Sequence, residues 1–401
     1  MFKVPIRDRI KIVLALSFYS FFIHAEKPFT LLVYAAGDNN LASSLLFNIK
    51  QMKEVHNPDI NILVYLFLPP ESDGIKKAYK ICVTQGKATV IETDYNKDSG
   101  NPQTLVDACS WALTKYPSDH FGIIASDHGT GIISRFPEAA LRGFCYDDTT
   151  GNFLDDVKLM QALDTVITTH RAGKKIDFVG FDACLMAHQE IATAVAPYAN
   201  YMIASQQTEL ADGWPYNRFL TEFKNPRSFI EKIIQEYAIY YTTIRKTKDF
   251  TLSVFDVSLA ETMNNKIDTL ALSLIQALDT TEIKGALKKA VSNSLKSFFA
   301  EKTSQDIDYF CTQFSLELSA LGASGLSDNN KKIIAKLQEQ VLEIKKTLTE
   351  LIIAETHGTG QTFAHGASLY FPQKRVETSY KKTYWYTVSQ WPKFLEKFLS
   401  I

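Results

Sequence analysis

Several segments of this chain are apolar at nearly every position: "TLLVYAA" (30–36), "NILVYLFL" (61–68), "FGIIAS" (121–126), "IDFVGF" (176–181) and the start of "YMIASQQ" (201–207). A strand with no polar face is buried on both sides, which happens in a parallel sheet covered by helices above and below. The stretches between them, near 41–55, 102–116, 155–170 and 185–197, carry helical spacing. Their alternation predicts an α/β fold with a mainly parallel central sheet. Residues 78–94 alternate around Gln85-Gly86 and predict a hairpin appended to that sheet. Past Pro215 the pattern turns helical, near 226–243, 259–278 and 305–356, broken by strands at "TLSVFDVS" (251–258) and "GASLYFP" (366–372). No internal repeat marks a boundary. The chain divides into a leader (1–25), a core (26–258) and a helical C-terminal elaboration (259–401) expected to pack on and complete that core. The charge-rich 327–350 is expected to be a helix with a solvated face.

The leader has basic residues (Lys3, Arg7, Arg9, Lys11), an apolar run from Ile12 to Ile23, and Ala25 as a small residue before Glu26. That is a signal-peptide pattern, and the run is shorter than the roughly 18–20 residues that span a bilayer. Export to a periplasm or out of the cell is expected; an uncleaved anchor is the alternative. Loss of the leader takes the formal charge from −1 to −4, so the basic surplus of a nucleic-acid binder is missing. Cys82, Cys109, Cys145, Cys184 and Cys311 are too few and scattered for a disulfide scaffold. In an exported protein one or two bridges among the other four would still leave an odd thiol.

Ligands bind beyond the carboxyl ends of strands in open parallel sheets. Two strands end in chemically loaded turns: "FGIIAS" runs into Asp127-His128-Gly129-Thr130-Gly131, and "IDFVGF" into Asp182-Ala183-Cys184. A thiol at a helix N-terminus beside an imidazole is a candidate nucleophile with its acid/base. The Gly129 and Cys184 amides can supply donors to an oxyanion. Taken singly, His128 is better read as a turn histidine and Cys184 as a small buried residue; as a pair at matched strand ends they point to chemistry. His188, four residues after Cys184, is a rival base, set aside because Gln189 and Glu190 beside it suggest a solvated surface. His120, His128, Cys145 and Cys184 could offer zinc ligands, but there is no CxxC, and "HQEIA" is not HExxH.

The motifs "YAAGDNNL" (34–41), "SDHGTG" (126–131), "GFDACLM" (180–186) and "ASQQTELADGWPY" (204–216), with "LSVFDVS" and "GASLYFP" later, resemble the clostripain family of cysteine peptidases, relatives of caspases, gingipains and legumain. The resemblance implies a caspase-like α/β/α sandwich and hydrolysis of protein or peptide substrates after Arg or Lys. It implies His128 as base, Cys184 as nucleophile, and an oxyanion hole from Gly129 and Cys184. It gives Asp182 and Asp212 to the pocket for the basic side chain, with Glu209 able to share that role; a carboxylate partner is what an entering guanidinium needs. Asp212, in "ADGWP", is equally readable as a turn former. Relatives of this kind are often made as precursors cut within a loop, and some use calcium. The stretch 134–156 holds Arg142-Gly143 and Arg135 as expected processing sites, Arg135 being the better one if "GFCYDD" begins a strand. Asp147, Asp148, Asp155 and Asp156 could suit calcium or serve as helix caps. No cofactor is required for the expected chemistry. The same fold could also serve as a catalytically silent binder of basic peptides.

Overall fold

The computed structural model of the chain describes residues 26–84, 86–132, 143–295, 303–322 and 326–400. The strands are β1 (Phe29–Ala36), β2 (Ile60–Leu68), β3 (Lys77–Thr84), β4 (Lys87–Tyr95), β5 (His120–Ser126), β6 (Phe144–Asp147), β7 (Asn152–Leu154), β8 (Ile176–Asp182), β9 (Ala199–Ala204), β10 (Thr251–Asp256), β11 (Ser304–Asp306), β12 (Ile352–His357) and β13 (Ser368–Tyr370). The helices are α1 (Ala42–Met52), α2 (Pro102–Lys115), α3 (Asp156–His170), α4 (Gln189–Val195), α5 (Tyr216–Phe219), α6 (Pro226–Ile239), α7 (Ala260–Ala277), α8 (Thr281–Leu295), α9 (Ile307–Gly322), α10 (Asp328–Leu351), α11 (Tyr384–Val388) and α12 (Trp391–Leu399).

Among the described residues, nine strands form one sheet in the order β12-β10-β9-β8-β5-β1-β2-β3-β4. Its centre, β2-β1-β5-β8-β9, is parallel, and the outer pairs are antiparallel. Because side chains alternate along a strand, β1 feeds two cores. Leu32, Tyr34 and Ala36 join the layer under α2, α3, α4 and α7, while Phe29, Leu31, Val33 and Ala35 join the layer under α1, α5 and α6. This is the expected α/β/α sandwich. Helix starts follow local chemistry: Asn101 accepts from the Gln103 N–H ahead of Pro102, and Asp155 from the Lys158 N–H. The predicted hairpin is β3–β4.

The C-terminal part departs from the expectation. The single helix over 305–356 is instead β11, α9, α10 and β12, and α8, α11 and α12 were not foreseen. β12 pairs antiparallel with β10, so a strand from this part forms one edge of the main sheet. α10 buries Ile334, Leu337, Val341, Ile344 and Leu348 on one side and turns its charges outward, as the 327–350 pattern predicts. No helix among the described residues is long and apolar enough to cross a membrane.

Candidate active site

Parallel strands β5 and β8 run in register, Ser126 opposite Asp182, so the turns that follow emerge side by side at one edge of the sheet. The Asp127 N–H donates to the Asp182 carbonyl at 3.2 Å and ties them together. Contact is closest at Gly129. A Cβ there would stand 2.3 Å from the Cys184 carbonyl oxygen and 3.0 Å from its nitrogen, so the two backbones meet only because residue 129 has no side chain. Gly129 also bridges Phe144 of β6. The bond there runs from the Thr130 N–H to the Gly143 carbonyl (3.0 Å) and does not engage the Gly129 amide.

The ring of His128 meets Asn40, with Nε2 2.6 Å from Oδ1. An amide oxygen only accepts, so in this contact Nε2 is the donor. Asn40 follows β1, the neighbour of β5. Its loop is fixed from below: Asn39 Nδ2 donates to Asp127 Oδ1 (2.7 Å) and to the Tyr146 carbonyl (3.1 Å). Lys76 is buried between Asp38, at 2.7 Å, and Asp147.

Cys184 is half-buried, whereas Cys82, Cys109, Cys145 and Cys311 are buried, and none of the five forms a disulfide. Its Sγ accepts the Glu209 N–H at 3.2 Å, a contact that favours the thiolate. The expected helix start at this residue is a correction: α4 begins at Gln189. The intervening amides are committed elsewhere, Leu185 N–H to Gln207 O (3.0 Å) and Ala187 N–H to Ser205 O (2.9 Å), and cannot open a helix. A helix dipole fades beyond its first turn, and the donor that Sγ meets here is the Glu209 amide.

His188 also differs from expectation, since it is buried together with Gln189 and Glu190. The C-terminal part covers them: Ser368 N–H donates to Ala187 O (2.8 Å), Tyr370 N–H to Glu190 Oε1 (2.9 Å), and Gln189 Nε2 to Ala260 O (3.1 Å). Enclosure next to Glu190, with Nδ1 3.4 Å from its Oε2, sets His188 aside as a base on grounds other than the expected solvation.

Beside Cys184 the loop after β9 carries Glu209 and Asp212 and lays Trp214 against Asp182 at the end of β8. Asp182 Oδ2 accepts from Tyr216 OH (3.0 Å), Trp214 N–H (3.2 Å) and Ser126 OH (3.2 Å). Burial still pushes its carboxyl up to about 6. Glu209 accepts from Tyr237 OH (2.5 Å) and Trp214 Nε1 (3.4 Å). Burial first, then the charge on Asp182, raises it well above the usual range. Among the described residues no Lys or Arg pairs with either, so an entering cation would relieve both. Asp212 differs: its Oδ2 already holds Tyr240 OH (2.7 Å) and Arg245 Nε (3.0 Å). Trp214 seats this loop on the sheet at Gly180, where a Cβ would come within 2.9 Å of the indole.

Asn40, Tyr237, Tyr240 and Arg245 were missed from sequence. The only signal was that Asn40 lies in "GDNN", and that Tyr237, Tyr240 and Tyr241 share one helix face. Arg135 and Arg142 lie outside the described residues. Gly143 is buried, and its N–H donates to Thr130 Oγ1 at 3.0 Å, so a cut before it requires this segment to leave its seat. β6 does begin right after it, the condition under which Arg135 is the better processing site. Of the acids considered for calcium, Asp147 pairs with Lys76, Asp155 caps α3, and Asp156 accepts the Tyr384 N–H (2.7 Å). Among the described residues no three His, Cys, Asp or Glu side chains gather as a metal site. His120 pairs with Asp177 at the start of β5, the opposite end from His128.

Known proteins match this chain over most of its length. The model of the clostripain family matches residues 33–398. Clostripain of Hathewaya histolytica is 22% identical, over 90% of this chain and 78% of its own length. An inactive zymogen C11 protease from Parabacteroides distasonis superposes with a TM-score of 0.65 at 21% identity, over 93% of this chain and 99% of that one. A secreted C11 cysteine protease from Bacteroides thetaiotaomicron, solved with an irreversible peptide inhibitor, gives 0.62 at 20% identity, over 92% and 99%.

Proposed function

The chain belongs to the clostripain family of cysteine peptidases, and on that premise we propose that it is an exported endopeptidase cutting after Arg or Lys, with Cys184 as nucleophile and His128 as proton carrier. The observation that most supports this is the meeting of the two strand-end turns, where Gly129 lies against the Cys184 backbone. With Nε2–H directed to Asn40, His128 takes the thiol proton on Nδ1, and the Glu209 N–H stabilises the thiolate. Sγ attacks the scissile carbonyl carbon. The carbonyl electron pair moves onto oxygen, and the Gly129 and Cys184 amides receive that charge. As the C–N bond breaks, His128 gives its proton to the leaving amine, and a thioester remains on Cys184. Water then adds to the thioester and passes a proton back to His128; the C–S bond breaks, releasing the acid and restoring the thiolate. Each step uses the chain's own groups, and a structural calcium ion elsewhere would be compatible with them.

The basic side chain before the cut is read by Glu209 and Asp182, with Asp212 at the rim. Two buried carboxylates that ionise reluctantly gain most from a cation that enters without water. Export rests on the leader pattern of residues 1–25, and self-cleavage on the arginines of 134–143. Fluorogenic peptides differing only in the residue before the cut test the assignment. Cys184→Ala and His128→Ala should each remove nearly all turnover, while His188→Ala keeps most of it. An active His128→Ala with a silent His188→Ala would overturn it.

A further inference from the structure

Asp212, the rim acid of the proposed pocket, is already paired with a guanidinium belonging to the chain itself. α6 ends in one wide turn, Tyr240–Ile244, in which the Arg245 N–H returns to the Tyr240 carbonyl (3.0 Å). In an α-helix the residue above Tyr240 would be Ile244; the five-residue spacing of the wide turn places Arg245 there instead. Both side chains therefore reach the same oxygen, Asp212 Oδ2, Tyr240 OH at 2.7 Å and Arg245 Nε at 3.0 Å. The pair is accessible, the Arg245 side chain being 52% exposed and that of Asp212 23%. Deeper, Asp182 at the end of β8 and Glu209 in the loop after β9 have hydroxyl and N–H partners and, among the described residues, no Lys or Arg. The pairing is thus split: a carboxylate held by a cation at Asp212, and two deeper carboxyls held by hydroxyl and N–H groups.

We propose that Arg245 is a specificity-determining residue that competes with the substrate's basic side chain for Asp212. This rests on the basic-pocket reading above. A substrate cation gains the interior acids outright but must share or displace Arg245 to reach the rim acid. The cost falls on ground-state binding, so it belongs in KM and leaves kcat nearly alone. It also acts only on cations, since an uncharged side chain does not contend for Asp212.

The test is steady-state kinetics of the full chain on matched peptides with arginine or its neutral isostere citrulline before the cut. Arg245→Met keeps the apolar stem and removes the charge. It should lower KM for the arginine peptide about two- to five-fold, the range set by an exposed ion pair, with kcat and the citrulline KM unchanged. Arg245→Lys should return KM toward wild type, and Arg245→Gln should repeat the methionine result should that variant fold poorly. Adding Asp212→Asn to Arg245→Met should cancel the gain. An arginine KM that stays put or rises in Arg245→Met, or that falls equally for citrulline, overturns the proposal alone. A wild type that does not distinguish arginine from citrulline overturns the basic-pocket reading and the proposal with it.

Discussion

Replacing Gly129 with alanine adds one methyl group at the contact on which the mechanism depends. The new Cβ would stand 2.3 Å from the Cys184 carbonyl oxygen, whereas ordinary contact begins at 3.4 Å, and the obstacle is backbone that cannot rotate away. The His128–Gly129 turn and the Cys184 turn must therefore separate by about 1 Å. Both are held by the main chain, through Asp127 N–H to Asp182 O and Thr130 N–H to Gly143 O, so the strain is shared with the ends of β5 and β6. Overpacking of this kind costs about 1–3 kcal/mol of stability. The larger effect falls on turnover. A displacement of that size at the oxyanion donors, and between sulfur and imidazole, is worth roughly 100-fold or more in kcat, about 3 kcal/mol. The assay is kcat on an arginine peptide, paired with a thermal melt and with the rate at which a small neutral reagent alkylates Cys184. The expected result is a folded variant whose thiol still reacts but whose turnover has collapsed. Turnover within about three-fold of wild type in a folded Gly129→Ala would refute the claim that these backbones form one site.

Three more outcomes follow from the geometry. Asn40→Ala frees the His128 ring and should lower kcat about ten-fold or more, while Asn40→Asp, which still accepts from Nε2, keeps more activity across a pH profile; equal activity of both with wild type would remove Asn40 from the site. Burial pushes the Asp182 carboxyl up to about 6 in the folded chain against about 3.9 unfolded; the folded state binds the extra proton in that window, so the charged form costs stability at neutral pH, and the cost fades as pH falls from 6 to 4. Asp182→Asn should therefore raise Tm at pH 7.5 and change it little at pH 4, while weakening arginine binding; a loss of stability of the same size at both pH values would contradict the burial argument. Intact mass should show wild-type protein cut once between residues 135 and 143 and Cys184→Ala uncut, and a cut in both would assign the processing to another protease.

The parallel centre of the sheet was legible because β1, β2, β5, β8 and β9 are apolar at nearly every position, a pattern that a strand covered on both faces requires. The meeting of the His128 and Cys184 turns was legible through their placement just past two such runs. What failed was decided by partners far away in the chain. Ile352–His357 continues the apolar spacing of α10, and it becomes a strand because β10, about 100 residues earlier, offers an edge. "HQE" at 188–190 reads as surface until Ser368 and Tyr370 are laid over it. Cys184 opens no helix because Ser205 and Gln207 claim the amides of the turn. Arg245 reaches Asp212 only through a wide turn, and no local signal in "YYTTIRK" announces one.

The central claim, that Cys184 is a nucleophile activated at an arginine-reading site, is tested most directly by covalent labelling. Wild-type protein is treated with a short peptide carrying arginine next to a thiol-alkylating group, and with its citrulline twin, and the adduct is followed by intact mass and located by peptide mapping. The account predicts one adduct per chain, on Cys184, with the arginine reagent reacting at least about ten-fold faster and with His128→Ala losing most of that rate. Label on Cys82, Cys109, Cys145 or Cys311, or equal rates for the two reagents on Cys184, would contradict it.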